Sequence, residues 1–253
     1  MMIDFNAYIG VFPYWSNKYA DVSGDGIVRL MDRDGIQRAV VLSLRAIFDD
    51  IEAGNSETFE AVARHSDRLI PAVTVSPYMP GDYKALMKEY REKGAKVLKL
   101  FPYNHGYGLM PARNEKLDEM MAYAKELGYV VSVPYRLFMN WYFNVQPNAD
   151  MYAFAVKYRD IPIVIDCVNY SEYSTAVDAA EANKDVYIGT SAITMMNGIE
   201  MLTARLGANR LIGGTCAPLQ IPACGTVKVT EAIISEKEKA MILGENAKAL
   251  LEV

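Results

Sequence analysis

The chain has 253 residues, of which 51% are hydrophobic and 23% are charged, and its formal net charge is -5. This composition is typical of a globular protein with one large core. The acidic balance and the lack of a long basic run argue against nucleic acid as the main partner. No apolar segment reaches the ~20 residues that cross a bilayer, and the N-terminus enters a strand pattern without a basic leader. We therefore expect a cytoplasmic protein with no membrane partner.

Cysteine and histidine usage limits the chemistry. The three cysteines, Cys167, Cys216 and Cys224, show neither a C-x-x-C pair nor the spacing of a structural zinc site, which predicts reduced thiols. The two histidines, His65 and His105, are too few for an H-E-x-x-H motif or a three-histidine zinc site. His65 lies in a polar helix end and is interpreted as a solvated or capping residue.

Short apolar segments alternate with amphipathic segments of helical period along the whole chain. The apolar segments lack strict alternation, which is typical of parallel strands buried on both faces. In chain order they are residues 3–9, 39–44, 69–75, 96–101, 129–133, 161–168, 186–188 and 210–212. The helical segments between them include residues 55–64, 82–93, 115–127, 149–158, 172–182 and 198–206.

Local signals mark the ends of these segments. Asp82, Asn114 and Ser171 stand where helices should begin. Glycines at 94, 128 and 207 follow helical segments, where a left-handed C-cap suits glycine. Residues 235–251 predict two short helices that are broken near glycine 244.

Eight successive units, each made of a strand segment and the helical segment after it, predict one (β/α)8 barrel domain over residues 1–253. A doubly wound open sheet is the alternative. It is disfavoured because Tyr8-Ile9-Gly10-Val11-Phe12 stands where a G-x-G-x-x-G turn would follow the first strand.

Four segments in the same order resemble the amidohydrolase-related branch of the amidohydrolase superfamily. Residues 94–102 (G-A-K-V-L-K-L-F-P) are similar to its G-A-x-G-I-K-L-H-P, and residues 185–191 (D-V-Y-I-G-T-S) to its N-V-Y-x-D-T-S. Residues 206–214 (L-G-A-N-R-L-I-G-G) resemble its L-G-A-D-R-I-L-F-G, and residues 242–251 (I-L-G-E-N-A-K-A-L-L) its I-L-G-x-N-A-x-R-L-L. The resemblance implies a TIM barrel and hydrolysis or decarboxylation of small carboxylated or cyclic substrates.

The resemblance also implies a divalent metal at the barrel mouth, but this chain departs from the pattern at every ligand position. The first strand reads I-D-x-N-x-Y where the family has I-D-x-H-x-H, and residues 213–218 read G-G-T-C-A-P where it has G-S-D-x-P. One by one, the ligand positions fall on Asn6, Tyr8, Pro134, Cys167 and Cys216. Two thiolates alone make a poor divalent site. We therefore expect no metal or other cofactor.

Residues at the carboxyl ends of barrel strands face the binding mouth. The candidates for binding a substrate there are Asn6, Tyr8, Arg45, Tyr103, Tyr135, Arg136, Asp166 and Asn169. Arg45, Arg136 and Lys99 would suit a carboxylate or phosphate if they converged. Alternatively, these cations pair with Asp166, Asp49 or Asp50.

Three residues are candidates for catalysis. His105 lies on a glycine-rich loop after the fourth strand and is placed to act as a general acid or base. Cys216 follows two glycines at a strand end and is a candidate nucleophile, with a buried inert thiol as the alternative. Lys99 lies in an apolar strand, where burial would favour a neutral amine that acts as a base or Schiff-base nucleophile.

The sequence leaves three functional interpretations open. The first is a hydrolase or lyase that acts on a small anionic or cyclic substrate without the usual metal. The second is a non-catalytic pseudoenzyme that binds a ligand or partner, and the third is a metal-dependent hydrolase with cysteine ligands. Residues 137–147 are rich in Trp, Tyr, Phe and Met, which predicts a lid, a packed loop or the contact of a homodimer.

Overall fold

Eight parallel strands pair side by side in the order in which they occur along the chain. The structure is a computed structural model that describes residues 1–13, 21–110, 114–137 and 145–253. The strands are β1 (Ile3–Ile9), β2 (Arg38–Ser43), β3 (Leu69–Val73), β4 (Val97–Lys99), β5 (Val130–Pro134), β6 (Ile163–Asp166), β7 (Val186–Gly189) and β8 (Leu211–Ile212). Each strand is followed by at least one helix, so the predicted (β/α)8 barrel is confirmed.

Backbone hydrogen bonds join β1 to β8 and to the residues that follow β8. The amide of Phe5 donates to the carbonyl of Gly213 over 2.9 Å, and that of Cys216 donates to the carbonyl of Asn6 over 2.7 Å. The carboxylate of Asp4 also accepts bonds from the amide and hydroxyl of Thr215. We call this junction the β8–β1 seam. It brings the ends of the first and last strands together at the barrel mouth.

Eleven α-helices are present in the described parts of the chain. They are α1 (Gly24–Asp34), α2 (Arg45–Phe48), α3 (Ile51–Arg64), α4 (Tyr83–Glu92), α5 (Glu115–Glu126), α6 (Asn148–Lys157), α7 (Tyr173–Ala182), α8 (Gly198–Leu206), α9 (Pro222–Thr230), α10 (Glu236–Ala240) and α11 (Asn246–Leu251). None of these helices combines the length and apolar character that crossing a bilayer requires.

Most predicted element boundaries agree with the structure to within a few residues. Asp82 and Asn114 are N-caps as predicted, whereas α7 is capped by Glu172, so the prediction of Ser171 was wrong by one position. The predicted break near Gly244 is a π-helical turn over Met241–Glu245 that links α10 to α11. A side chain at Gly244 would collide with the backbone of Met1, which explains the glycine.

The core divides into the barrel interior and the layer between the strands and the helices. The interior cluster contains Phe5, Leu42, Val97 and Val164, among other inward-facing strand residues. The outer layer includes Val73, Leu98, Val131 and Ile165, as expected from the two-residue period of a strand. Toward the carboxyl ends of the strands, polar side chains replace the apolar ones in the interior. This change of polarity positions the candidate site.

Candidate functional site at the barrel mouth

A cluster of buried polar side chains closes the barrel interior at the carboxyl ends of the strands. None of its members is more than 3% exposed. The inner polar cluster, as we name it, consists of Asn6, Lys99, Asp166, Cys167, Ser191 and Cys216. Its members come from β1, β4, β6 and the residues that follow β6, β7 and β8. Parallel strands in a closed barrel bring such distant positions together.

Lys99 is the cation of this cluster. Its Nζ donates a hydrogen bond to Asn6 Oδ1 over 2.8 Å and lies 4.7 Å from the centre of the Tyr8 ring. Among the described residues, no carboxylate lies within ion-pair distance of it. Burial lowers the pKa of Lys99, and Asp166 is the strongest of the nearby groups that oppose this effect. The neutral form of the amine is therefore more favoured in this buried site than it is in aqueous solution.

Asn6 connects the cluster. Its Nδ2 donates to Cys216 Sγ over 3.2 Å, to Ser191 Oγ over 3.3 Å and to Cys167 Sγ over 3.5 Å. Because the opposite side of the same amide accepts from Lys99, Asn6 fixes the position of the amine relative to the two thiols.

Both cysteines have unusual backbone conformations. The φ angle is 53° at Cys167 and 56° at Cys216, in the left-handed region that side chains other than glycine rarely adopt. Their sulfur atoms lie 3.4 Å apart. Burial raises the pKa of the Cys216 thiol well above its usual range, with the neighbouring Cys167 adding to the effect. Cys216 is thus placed within the cluster as a protonated thiol, which is a weak nucleophile.

Asp166 holds the β7 side of the cluster. Its Oδ1 accepts from Ser191 Oγ over 2.7 Å and from the amide of Cys167 over 2.9 Å. Gly189 lies against this carboxylate, and a Cβ at that position would overlap Asp166 Oδ1. The glycine therefore permits the close approach of β6 and β7 that orients Ser191.

Arg136 lies beside the mouth in a buried ion pair with Glu172. The two side chains are 3% and 2% exposed. Glu172 Oε2 also accepts from the amide of Asn169 over 3.1 Å, and the Asn169 side chain donates to Thr194 Oγ1 over 2.9 Å. Arg136 and Asn169 therefore form part of a network that holds the loops after β5, β6 and β7. Glu172 was missed in the sequence, because nothing in the pattern pairs it with a residue 36 positions away.

The other predicted residues occupy different surroundings. Arg45 is partly exposed on α2, and its Nε donates to Asp49 over 3.1 Å, which is one of the pairings considered above. Tyr103 is 60% exposed, whereas Tyr135 is buried with a hydroxyl that has no hydrogen-bond partner among the residues that the structure describes. Of the three predicted cations, Lys99 is the one that enters the cluster.

His105 packs against α2. Its Nε2 lies 3.1 Å from the carbonyl oxygen of Ala46, and its ring meets Phe101 edge to face at 6.2 Å. A carbonyl can only accept, so Nε2 carries the proton, and Nδ1 is a buried acceptor without a partner in the described part of the chain. Burial lowers the pKa of His105, which favours the neutral ring.

The hydroxyls of Ser132 and Thr74 lie near Lys99 and were not predicted from the sequence. Ser132 pairs in register with Lys99 across β4 and β5, and Thr74 follows β3 two residues after Ala72, which pairs with Val97. Ser132 Oγ, Thr74 Oγ1 and the Tyr8 hydroxyl are all buried without a hydrogen-bond partner among the described residues. A serine inside the otherwise apolar β5 sequence V-V-S-V-P was the signal that could have identified one of them.

A cavity of about 480 Å³ opens beside the cluster, between the residues after β7 and helix α9. Its walls include Ser191, Thr194, Cys224 and Lys228. Lys228 Nζ donates to the carbonyls of Ser191 over 2.9 Å and Thr190 over 3.1 Å. Pockets of this size hold small molecules.

The side chains at the mouth do not fit a divalent metal. Within the described ranges, no three His, Cys, Asp or Glu side chains are grouped as ligands of an ion would be. Asn6, an amide that already bridges Lys99 and the thiols, occupies the centre. The predicted aromatic loop at 137–147 falls largely outside the described residues, which stop at Leu137 and resume at Val145.

Comparison with solved structures identifies similar barrels. A probable 2-pyrone-4,6-dicarboxylic acid hydrolase from Acinetobacter baumannii, with citric acid bound, aligns with a TM-score of 0.75 at 13% identity over 100% of this chain and 99% of its own. A 2,6-dihydroxybenzoate decarboxylase in complex with 2,6-dihydroxybenzoate gives 0.78 at 12% identity over 100% and 99%. The 5-carboxyvanillate decarboxylase from Sphingomonas paucimobilis gives 0.73 at 12% identity over 100% and 99%. Identities this low establish the fold alone.

Comparison of the sequence with family models assigns the chain to a family, which the structural similarities alone do not. A search of curated proteins gives no match. The family model described as amidohydrolase, however, matches residues 6–253. This span runs from Asn6 in the first strand to the last residue, so it includes the inner polar cluster. The chain belongs to the amidohydrolase family.

Proposed function

We propose that the protein is a metal-independent lyase that acts on a small carboxylated or cyclic molecule at the barrel mouth. The position of Lys99 carries this proposal. A buried amine lies in the barrel interior, held by an amide oxygen and an aromatic face, without a carboxylate partner among the described residues. Such an amine is available to a substrate, because no protein group neutralises it first.

The chemistry of Cys216 favours a lyase over a hydrolase. Hydrolysis requires a base that activates water, and in the family that role is implied for the aspartate whose position Cys216 occupies. A buried thiol with a raised pKa is neither a strong base nor a ready nucleophile. Breaking a bond next to a carbonyl instead requires a group that stabilises negative charge on the substrate, and Lys99 can supply it.

The surroundings suit a small anion. The cavity beside Ser191 is of suitable size, and Lys228 lies on its wall as a further cation. Burial lowers the pKa of Lys228, and a bound carboxylate would raise it again. Two of the similar barrels are decarboxylases of aromatic acids and a third was solved with citric acid bound. These likenesses support an anionic substrate for this chain as well.

The test combines a binding screen with turnover measurements. Carboxylated aromatics, oxo acids and lactones are screened by thermal shift, and each compound that stabilises the protein is assayed for turnover before and after extensive treatment with a chelator. We expect a carboxylated compound to bind, to be turned over at the same rate after chelation, and to lose turnover in Lys99→Met. Lys84→Met is the control, since Lys84 lies on α4 and pairs with Glu119.

Other outcomes would contradict the proposal. Stoichiometric zinc retained through Cys167 and Cys216, with activity lost on chelation, would favour the metal-dependent alternative. Binding without turnover of any compound would favour a pseudoenzyme, for which we find no specific support. We also propose, from the sequence alone, a cytoplasmic location and a homodimer contact through residues 137–147.

A further inference from the structure

The surroundings of Lys99 point beyond a purely electrostatic role. We infer that Lys99 is a Schiff-base nucleophile and that the substrate class is a small carbonyl acid, such as an oxo acid. This inference rests on the proposed function and specifies its substrate. Its basis is the juxtaposition of one buried amine with several buried hydroxyls that have no partner in the described parts of the chain.

The amine is positioned as a nucleophile requires. Lys99 is 1% exposed, and within the described ranges its Nζ donates one hydrogen bond, to Asn6 Oδ1 at 2.8 Å. This bond leaves the nitrogen lone pair free when the amine is neutral. Neutrality is favoured by burial, and the groups that oppose it are Asp166, Cys216, Asp4 and Cys167. A buried lysine whose role was only to contribute a positive charge would instead be expected next to a carboxylate.

Several buried hydroxyls near Lys99 lack a hydrogen-bond partner among the described residues. Buried polar atoms without a partner are uncommon, and each one requires an explanation. Ser132 Oγ, Thr74 Oγ1 and the Tyr8 hydroxyl all lie on inward-facing positions around Lys99. Tyr8 remains protonated, because burial raises the pKa of its hydroxyl well above the usual range. These groups can donate to the oxygen of a bound carbonyl.

The covalent step forms a C–N bond to Lys99 and releases the carbonyl oxygen as water. The lone pair of Lys99 Nζ attacks the carbonyl carbon, and the electrons of the C=O bond move to oxygen, which takes a proton to give a carbinolamine. The nitrogen lone pair then expels this oxygen as water after a second protonation, leaving an iminium. In a β-oxo acid, the bond between the carboxylate and the carbon next to the iminium then breaks and carbon dioxide leaves. The electrons of that bond form the C=C bond of an enamine while the C=N electrons return to nitrogen, and the enamine carbon takes up a proton to give the product imine. Hydrolysis of the product imine restores the amine, so no oxidant or reductant is needed.

The inference is tested by trapping the imine with cyanoborohydride. The folded protein is incubated with pyruvate, with benzoylformate or with acetone, the reagent is added, and the modified lysines are located by peptide mass mapping. We expect one adduct on Lys99 with an oxo acid, a weaker adduct with uncharged acetone, and none at this position in Lys99→Arg. Lys84→Arg is the matched control and should keep the Lys99 adduct.

Asn6→Asp provides a second test if Lys99→Arg does not fold. A carboxylate next to the amine should stabilise its charged form, so trapping at neutral pH should slow at least tenfold and recover as the pH is raised. Adducts confined to exposed lysines in the folded wild-type protein, or equal trapping in Asn6→Asp, would overturn the inference. An oxo acid that binds and is turned over without any adduct would overturn the Schiff base while leaving the proposed lyase intact. Failure of all carboxylated compounds to bind would instead contradict the proposed function.

Discussion

Cys167 Sγ and Cys216 Sγ lie 3.4 Å apart inside the barrel, and both residues are fully buried. Cys224, by contrast, is exposed at the start of α9. This difference predicts two classes of thiol. In the folded protein, one thiol should react quickly with a thiol reagent, and the other two should react only on unfolding. Cys224→Ser should remove the fast phase and leave the slow phase unchanged. Three equally fast thiols in the native protein would contradict the burial of the pair.

The ion pair between Arg136 and Glu172 should be a strong determinant of stability. Removing one member leaves the other as an uncompensated buried charge, which costs about 3–5 kcal/mol in the free energy of unfolding. We therefore expect Glu172→Gln and Arg136→Met to be strongly destabilising in urea unfolding, and the double variant to recover part of the loss. Lys84→Met, which breaks an exposed pair, should change little. Equal effects of the buried and exposed substitutions would refute this prediction.

Lys99 should make stability depend on alkaline pH. The pKa of Lys99 is lowered by folding, whereas the unfolded chain has the ordinary lysine value of ~10.4. Between these two values the unfolded state binds more protons, so wild-type stability should increase as the pH rises toward ~10.4. Lys99→Met lacks this contribution, so the difference in unfolding free energy between variant and wild type should change as the pH rises toward ~10.4. Two parallel stability curves would show that the amine is not perturbed.

Gly189 should resist substitution because β6 approaches it closely. A methyl group at this position would displace the Asp166 carboxylate and with it the hydroxyl of Ser191. We expect Gly189→Ala to lose about 1–3 kcal/mol of stability, as overpacked core sites do, together with binding at the mouth. Gly108→Ala is the control, because a Cβ there meets no atom within 4 Å and its φ is not in the left-handed region. A Gly189→Ala variant as stable as the control would contradict the described packing.

The pH titration of His105 should report its burial. Burial lowers the pKa of His105, so its NMR titration midpoint should lie below the usual value of ~6.5. As the pH falls, His105 takes up a proton in the unfolded chain before it does so in the folded protein. The free energy of unfolding should therefore decrease as the pH drops below ~6.5, and His105→Gln should reduce this dependence. The same variant tests catalysis. Turnover that is unchanged in His105→Gln would exclude the imidazole as the essential acid or base. A midpoint at or above ~6.5 would contradict the burial of the ring.

The sequence predicts the framework of this protein better than the contacts at its mouth. Strands such as β1 and β5 are recognisable because apolar runs buried on both faces are distinctive. Helix α1 was not recognised, because its first turn, G-D-G, has low helix propensity and the helix depends on its Ser23 cap. The placement of Asn6, Lys99 and Cys216 follows from their positions at strand ends, since a parallel barrel collects those ends.

The remaining features of the site depend on tertiary structure. The pairing of Arg136 with Glu172 requires the loops after β5 and β6 to meet, which no local pattern encodes. The inward direction of Ser132 depends on register, and a shift of one residue would reverse it. The separation of Arg45 from Lys99 results from α2, a four-residue helix directly after β2 that carries the arginine toward solvent.

The β8–β1 seam has a consequence for how the molecule is made. The contact between Asn6 and Cys216 joins residues 210 positions apart, and that between Asp4 and Thr215 joins residues 211 positions apart. Such contacts carry the largest loop-closure cost in the chain. A nascent chain still on the ribosome therefore lacks Ser191 and Cys216, which hold Asn6 and through it Lys99, until most of the chain has emerged. The proposed capture of a carbonyl compound by Lys99 would then require an almost completely folded chain.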